Sequence, residues 1–222
     1  MKLYSAKYAF WHPLDVFYPK AKCVDVTKPE ELDEPGILIV HGGGDIHPSL
    51  YGEVNKGSYV GDVPSSRDTM EWELMKVAAR KGILIFGICR GAQMGCALAG
   101  GKLIQDVAYH HNDHFIETEG KRRIKTNSIH HQMMYPWSVE HRLIAWTLPS
   151  YQTQRFVGIT KAEKNAIPEH DAYSSKYEPE IVWFPSVGCL AVQGHPEMLE
   201  TTHPLNVFVK EQLRDVTKFS QN

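Results

Sequence analysis

The residues with the most chemical potential are a thiol held between two glycines and an imidazole two positions from a carboxylate. Gly87-Ile88-Cys89-Arg90-Gly91 follows the apolar run 83–88 and precedes a stretch of small residues that ends at Gly100-Gly101. A strand that turns sharply into a helix at a nucleophile leaves no room for Cβ atoms two residues to either side, which is the steric reason for glycine at both places. The same turn would set Cys89 at a helix N-terminus, where free N–H groups and the helix dipole favour thiolate over thiol. Attack on an amide carbonyl also needs donors aimed at the developing oxyanion. The backbone N–H of Arg90 is next in the chain, and Gly43, in the Gly42-Gly43-Gly44 turn after the apolar run 37–40, is the natural second donor. A base and its orienting partner are offered by Gln193-Gly194-His195-Pro196-Glu197, just beyond the apolar run 190–192. Cys89, His195 and Glu197 therefore read as nucleophile, base and orienting carboxylate. Taken singly, each motif also fits a plainer role: a buried structural cysteine in an ordinary turn, or a surface loop with an incidental His and Glu in a chain of 12 histidines.

Positioning these groups requires strand ends brought side by side. Short apolar runs bounded by Gly and Pro alternate with helix-patterned stretches, the signature of parallel strands joined by crossover helices. Strands are expected at 37–40 and 83–88, a helix over 65–82 and a short buried helix over 92–99. Further strand candidates are 124–129, 143–147, 156–160, 181–184 and 190–193, with a C-terminal helix over 204–218. The segments 51–63 and 161–179 read as irregular, either one a lid or docking loop. At 222 residues the chain has the length of one α/β domain, so 1–222 is expected to form a single domain. A net charge of −2 with both signs scattered offers no basic stripe for nucleic acid. The apolar runs are too short to cross a membrane and no signal peptide is visible, so the expected location is the cytoplasm. Four cysteines without framework spacing read as reduced thiols. Cys23, Cys96 and Cys189, among apolar neighbours, read as packing residues.

With these motifs in order, the sequence resembles the class I glutamine amidotransferase-like superfamily, most closely its γ-glutamyl hydrolase (Peptidase C26) branch. The matching residues are Gly42-Gly43-Gly44-Asp45-Ile46-His47-Pro48-Ser49-Leu50-Tyr51-Gly52, Arg67-Asp68, Gly87 to Gln93, Gly100 to Asp106, Asn127-Ser128-Ile129-His130-His131-Gln132 and Val192 to Glu197. The resemblance implies a flavodoxin-like three-layer α/β/α sandwich with a mostly parallel central sheet. It implies that Gln93, His130, His131 and Gln132 hold a glutamyl group, and that Cys89 forms a thioester which water hydrolyses. The implied activity is hydrolysis of γ-glutamyl amides without metal or organic cofactor. Its rivals are a glutaminase subunit that passes ammonia to a synthetase or ligase partner, and a non-catalytic module of the same fold.

Two departures stand out. His41 takes the place of the family's usual proline, which would alter the oxyanion loop. Gly194 takes the place of an aromatic residue, which would widen or loosen the pocket beside His195. The segment 161–179 reads as an insertion. His110-His111, Asp113 and His114 look like metal ligands, but they lie in a polar loop with no second ligand group at helix or hairpin spacing, so no metal site is expected.

Overall fold

A computed structural model describes residues 2–6, 23–107, 110–147, 156–158 and 178–219. In chain order these form β1 (Lys2–Ala6), β2 (Cys23–Val26), β3 (Gly36–Val40), α1 (Ser66–Lys81), β4 (Leu84–Ile88), α2 (Arg90–Leu98), β5 (Lys102–Ile104), β6 (Asp106–Val107), β7 (His114–Thr118) and β8 (Arg123–Thr126). There follow β9 (Met133–Tyr135), β10 (Arg142–Thr147), β11 (Phe156–Val157), β12 (Pro179–Phe184), β13 (Cys189–Val192) and α3 (Pro204–Phe219). Nine strands make one sheet in the order β2-β1-β3-β4-β13-β12-β10-β7-β8, with two-stranded pairs β6/β11 and β5/β9 beside it.

The strands from β2 to β13 run parallel to one another, and those from β13 to β8 run antiparallel. The parallel half is the flavodoxin-like frame expected from the sequence; the antiparallel half extends it. Alternating side chains along β3 and β4 feed two cores, as the strand period of two dictates. Leu38, Val40 and Ile85 pack with Leu74, Met75 and Ala78 of α1 and Ala92 and Met94 of α2. On the opposite face Ile37, Ile39 and Phe86 pack with Leu205, Phe208, Val209 and Leu213 of α3. Helices thus cover both faces, and three layers result.

α1 begins where expected: Ser65 caps it by accepting from the Asp68 amide while the Asp68 carboxylate accepts from the Ser65 amide, a reciprocal capping arrangement. It stops at Gly82, whose left-handed φ of 66° ends the helix with hydrogen bonds back to Ala78 and Ala79. The strand expected at 124–129 pairs only as far as Thr126, and 127–130 form an unpaired segment beside the site. Most of 161–179 lies outside the described residues, as do 159 and 160 of the strand expected at 156–160; Pro179 already belongs to β12. Among the described residues no helix is long and apolar enough to cross a membrane.

Candidate active site

β4 and β13 are parallel neighbours, with Ile88 opposite Val192, so the chain leaves both strands at the same edge of the sheet. Cys89 follows β4 directly and caps α2 with φ 48° and ψ −103°, a left-handed conformation that costs a non-glycine residue energy and is held here by its surroundings. Its amide donates to the Val192 carbonyl (2.7 Å), and its carbonyl accepts from the Gln93 amide (3.0 Å). The flanking glycines are steric necessities. A Cβ on Gly87 would lie 2.5 Å from the Gly91 oxygen, and one on Gly91 would lie 2.1 Å from the Val40 oxygen.

Beyond β13, His195 and Glu197 are joined through the one-turn helix Pro196–Met198, and His195 Nδ1 lies 2.7 Å from Glu197 Oε1. An ionised carboxylate only accepts, so Nδ1 carries a proton. That leaves Nε2, which has no other partner among the described residues, to Cys89. Burial pulls the His195 pKa down, but the interactions with Cys89 and Glu197 outweigh it and raise the pKa to about 10. Cys89 and His195 are each 4% exposed, so the pair is largely sequestered from bulk water. Asn127 fixes the His195 backbone: its side-chain amide donates to the His195 carbonyl (2.8 Å) and its oxygen accepts from the His195 amide (2.9 Å).

The loop after β3 lies against this pair. A Cβ on Gly42 would be 2.6 Å from His195 Cε1 and 3.5 Å from the Cys89 Cβ. Gly43 has φ 153°, and a Cβ there would meet Arg67 Nη1 at 2.2 Å. Arg67 pins the loop by donating from Nη2 to the His41 and Gly42 carbonyls (3.2 and 2.9 Å), and its Nε donates to Glu71 (2.9 Å). Glu71 and Asp68, both on the buried face of α1, also pair with the Arg90 guanidinium. One charge network therefore joins the loop bearing Gly43 to the residue after Cys89. The Arg90 side chain is committed to it, and only its backbone N–H is a candidate oxyanion donor. His41 is buried in this framework, 2.6 Å from Ser5 Oγ through Nε2.

The expected substrate-binding residues surround a single carbonyl. Gln93 Nε2 and His130 Nδ1 both donate to the Gln132 oxygen, each at 2.8 Å. The Gln132 side chain accepts from the Ile46 amide (3.3 Å) and donates to Ser58 Oγ (2.6 Å). His131 pairs with Asp45 (2.7 Å) and stacks on Tyr59 with ring centroids 4.4 Å apart. Gln93, His131 and Gln132 are thus tied to the loop that continues from Gly43, whereas the His130 ring turns toward His110, 4.8 Å away.

Gly194 does not open the pocket. A Cβ there would be 2.4 Å from Thr126 Oγ1 and 3.0 Å from the Asn127 oxygen, so the end of β8 occupies the space that the sequence left vacant. Among the other thiols, Cys96 and Cys189 are fully buried. Burial pushes Cys96 up to about 12 and Cys189 higher still, as suits packing groups.

A family model described as Peptidase C26 matches residues 30–135, a span that includes Gly43, Cys89 and Gln132 but stops before His195. A Schizosaccharomyces pombe protein provisionally named a glutamine amidotransferase is 39% identical over 71 residues, 32% of this chain and 28% of its own length. The chain thus spans less than a third of the length of such curated relatives. A Thermoplasma acidophilum structure, provisionally described as one of the subunits of a GMP synthase, superposes with a TM-score of 0.59 over 98% of both chains at 15% identity. A Thermotoga maritima glutamine amidotransferase superposes with a TM-score of 0.56 over 99% of this chain and 97% of that one, at 12% identity. These structures show the fold, and together with the family model they bear out the resemblance to the class I glutamine amidotransferase-like superfamily and its Peptidase C26 branch.

Proposed function

We propose that this chain hydrolyses γ-glutamyl amide bonds, of glutamine or of γ-glutamyl compounds, through a glutamyl-thioester on Cys89. The observation that carries the reading is the left-handed turn at Cys89 (φ 48°) on the strand next to the one that delivers the His195–Glu197 pair. Cys89, its proton held on His195, attacks the γ-carbonyl carbon as a thiolate. The negative charge that develops on the carbonyl oxygen is met by the backbone N–H groups of Arg90 and Gly43. His195, held as an imidazolium by Glu197, then protonates the leaving nitrogen, and ammonia or an amine departs. Water adds to the thioester with its proton taken by His195, and glutamate leaves as the thiol reforms. Gln93, His131 and Gln132 form the wall that would hold the glutamyl group, with His130 fixing the Gln132 carbonyl. These steps call on no metal or organic cofactor. They need a reduced thiol, which suits a reducing compartment such as the cytoplasm.

A second reading, a glutaminase subunit that hands ammonia to a synthetase or ligase partner, is favoured by the likeness across 98% of both chains to a protein described as part of a GMP synthase. The two share their chemistry and differ in whether the chain works alone. The test is release of ammonia and glutamate by the purified protein from glutamine and a panel of γ-glutamyl amides, with Cys89→Ala as control. Release that depends on Cys89 supports the free-standing hydrolase. Silence across the panel overturns it and leaves the partner-dependent glutaminase or a binding module.

A further inference from the structure

Behind the site, three imidazoles and two carboxylates are buried together where the segment before β7, the loop before β9 and the start of β12 meet. His110, His114, His130, Glu178 and Glu180 are each no more than 3% exposed. Hydrogen bonds decide which of their ring nitrogens carry protons. His130 Nδ1 is 2.8 Å from the Gln132 carbonyl, which can only accept, so the proton sits there and Nε2 is a bare lone pair. That Nε2 is buried and has no hydrogen-bond partner among the described residues. His110 Nε2 is 3.0 Å from Glu178 Oε2. Donation there leaves His110 Nδ1 bare, and it too is buried without a partner among the described residues. Glu180 Oε1 accepts from His114 Nε2 (2.9 Å) and Thr147 Oγ1 (2.7 Å). One donor atom from each of His110, His130 and Glu180 lies within 4.8 Å of the other two.

We propose that His110, His130 and Glu180 bind one divalent transition-metal ion of the Zn²⁺ class. Two imidazoles and one carboxylate are a donor set suited to such ions, and a cation satisfies in one step both lone pairs that no hydrogen bond reaches. The outer partners are those a metal site requires: the Gln132 carbonyl and Glu178 each hold the second nitrogen of a ligating ring, and His114 and Thr147 hold the ligating carboxylate. Three donors at that spacing sit about 2.8 Å from a common centre at most, and moving inward by roughly 0.7 Å each brings them to ligand distance.

The ion is structural, because every ligand is buried away from solvent. It clamps the segment 127–132, which bears Asn127 and Gln132, against β12. The Glu180 carbonyl in turn accepts from the Gln193 amide (2.8 Å), two residues before His195. The site does not depend on the hydrolase reading.

The test uses the whole chain, freed of metal with a chelator and desalted, then titrated with Co²⁺ alone, followed by visible absorption, and with Zn²⁺ in competition. One equivalent per chain is expected, together with a higher melting temperature. Glu178→Gln, which alters the group behind His110, should weaken binding about 10- to 100-fold. His130→Gln should abolish it, and Cys89→Ala should leave it unchanged. The proposal is overturned if the wild-type chain shows no saturable equivalent. It is equally overturned if binding survives His130→Gln, or if it disappears in Cys89→Ala, since the ion would then belong to Cys89 and His195.

Discussion

Replacing Arg90 by methionine keeps the side-chain length and the backbone N–H but removes the cation between two buried carboxylates. Arg90 and Asp68 are each 2% exposed and Glu71 is fully buried. Deleting one partner of such a group leaves uncompensated charge, at a cost of about 3–5 kcal/mol. Glu71 would retain Arg67 Nε (2.9 Å), and Asp68 would retain the Ser65 amide and hydroxyl (2.9 and 2.8 Å). That partial compensation puts the expected loss near the lower end, about 3 kcal/mol. In a chain of 222 residues this lowers the melting temperature by roughly 6–12 °C. Urea unfolding followed by two independent probes would measure it. The origin of the loss makes a second demand: because the penalty is an unpaired carboxylate, adding Glu71→Gln to Arg90→Met should cost less than the sum of the two single changes. A loss below about 1 kcal/mol, or strict additivity in the double variant, would refute the reasoning.

Other perturbations probe the catalytic residues directly. Glu197→Gln presents an amide that can donate to His195 Nδ1 and so favours the wrong tautomer; kcat should fall by about 10³- to 10⁴-fold with KM little changed, and a loss under tenfold would argue against the pair. Asn127→Ala removes two hydrogen bonds to the His195 backbone. It should cost about 1–2 kcal/mol in urea unfolding and lower kcat with little change in KM. His195 has a folded pKa of about 10, above its ordinary 6.5. The stability it adds is therefore complete below about pH 6.5 and lost as the pH rises toward 10. The gap in melting temperature between wild type and His195→Gln should close over that window, and a gap that widens would contradict the assignment. Gly194→Ala drives a Cβ against Thr126 Oγ1 and should destabilise the chain, while adding Thr126→Ala should recover part of the loss in the same unfolding assay.

What could be read from the sequence was set by short-range sterics. The turn at Cys89 announces itself because Gly87 answers a clash with Gly91 within five residues, although Gly91 itself answers one with Val40 of β3, and Ser65 and Gly82 mark both ends of α1 by local capping. The role of Asn127 was not legible, since it acts through the backbone of a residue 68 positions away. Asp68 and Glu71 would ordinarily face solvent on a helix; only the arrival of Arg90 from the next crossover makes their burial tolerable. Glu178 lay in the segment 161–179 expected to be irregular and Glu180 just before the strand expected at 181–184, and the cluster around His110 lacked a second ligand group until β12 was placed beside it. Gly194 misled for a related reason: a missing side chain reads as space, and here Thr126 and Asn127 fill it. Short pairs such as β5/β9 and β6/β11 carry too few residues for a readable alternation.

The central claim is a covalent glutamyl intermediate on Cys89. The most direct measurement is mass spectrometry of the protein quenched in acid during turnover of a γ-glutamyl amide, followed by peptide mapping. A mass increase of one glutamyl group is expected on the peptide containing Cys89, chased by water to glutamate and absent from Cys89→Ala. Glutamate release that continues in Cys89→Ala, or an adduct on any other residue, would contradict it.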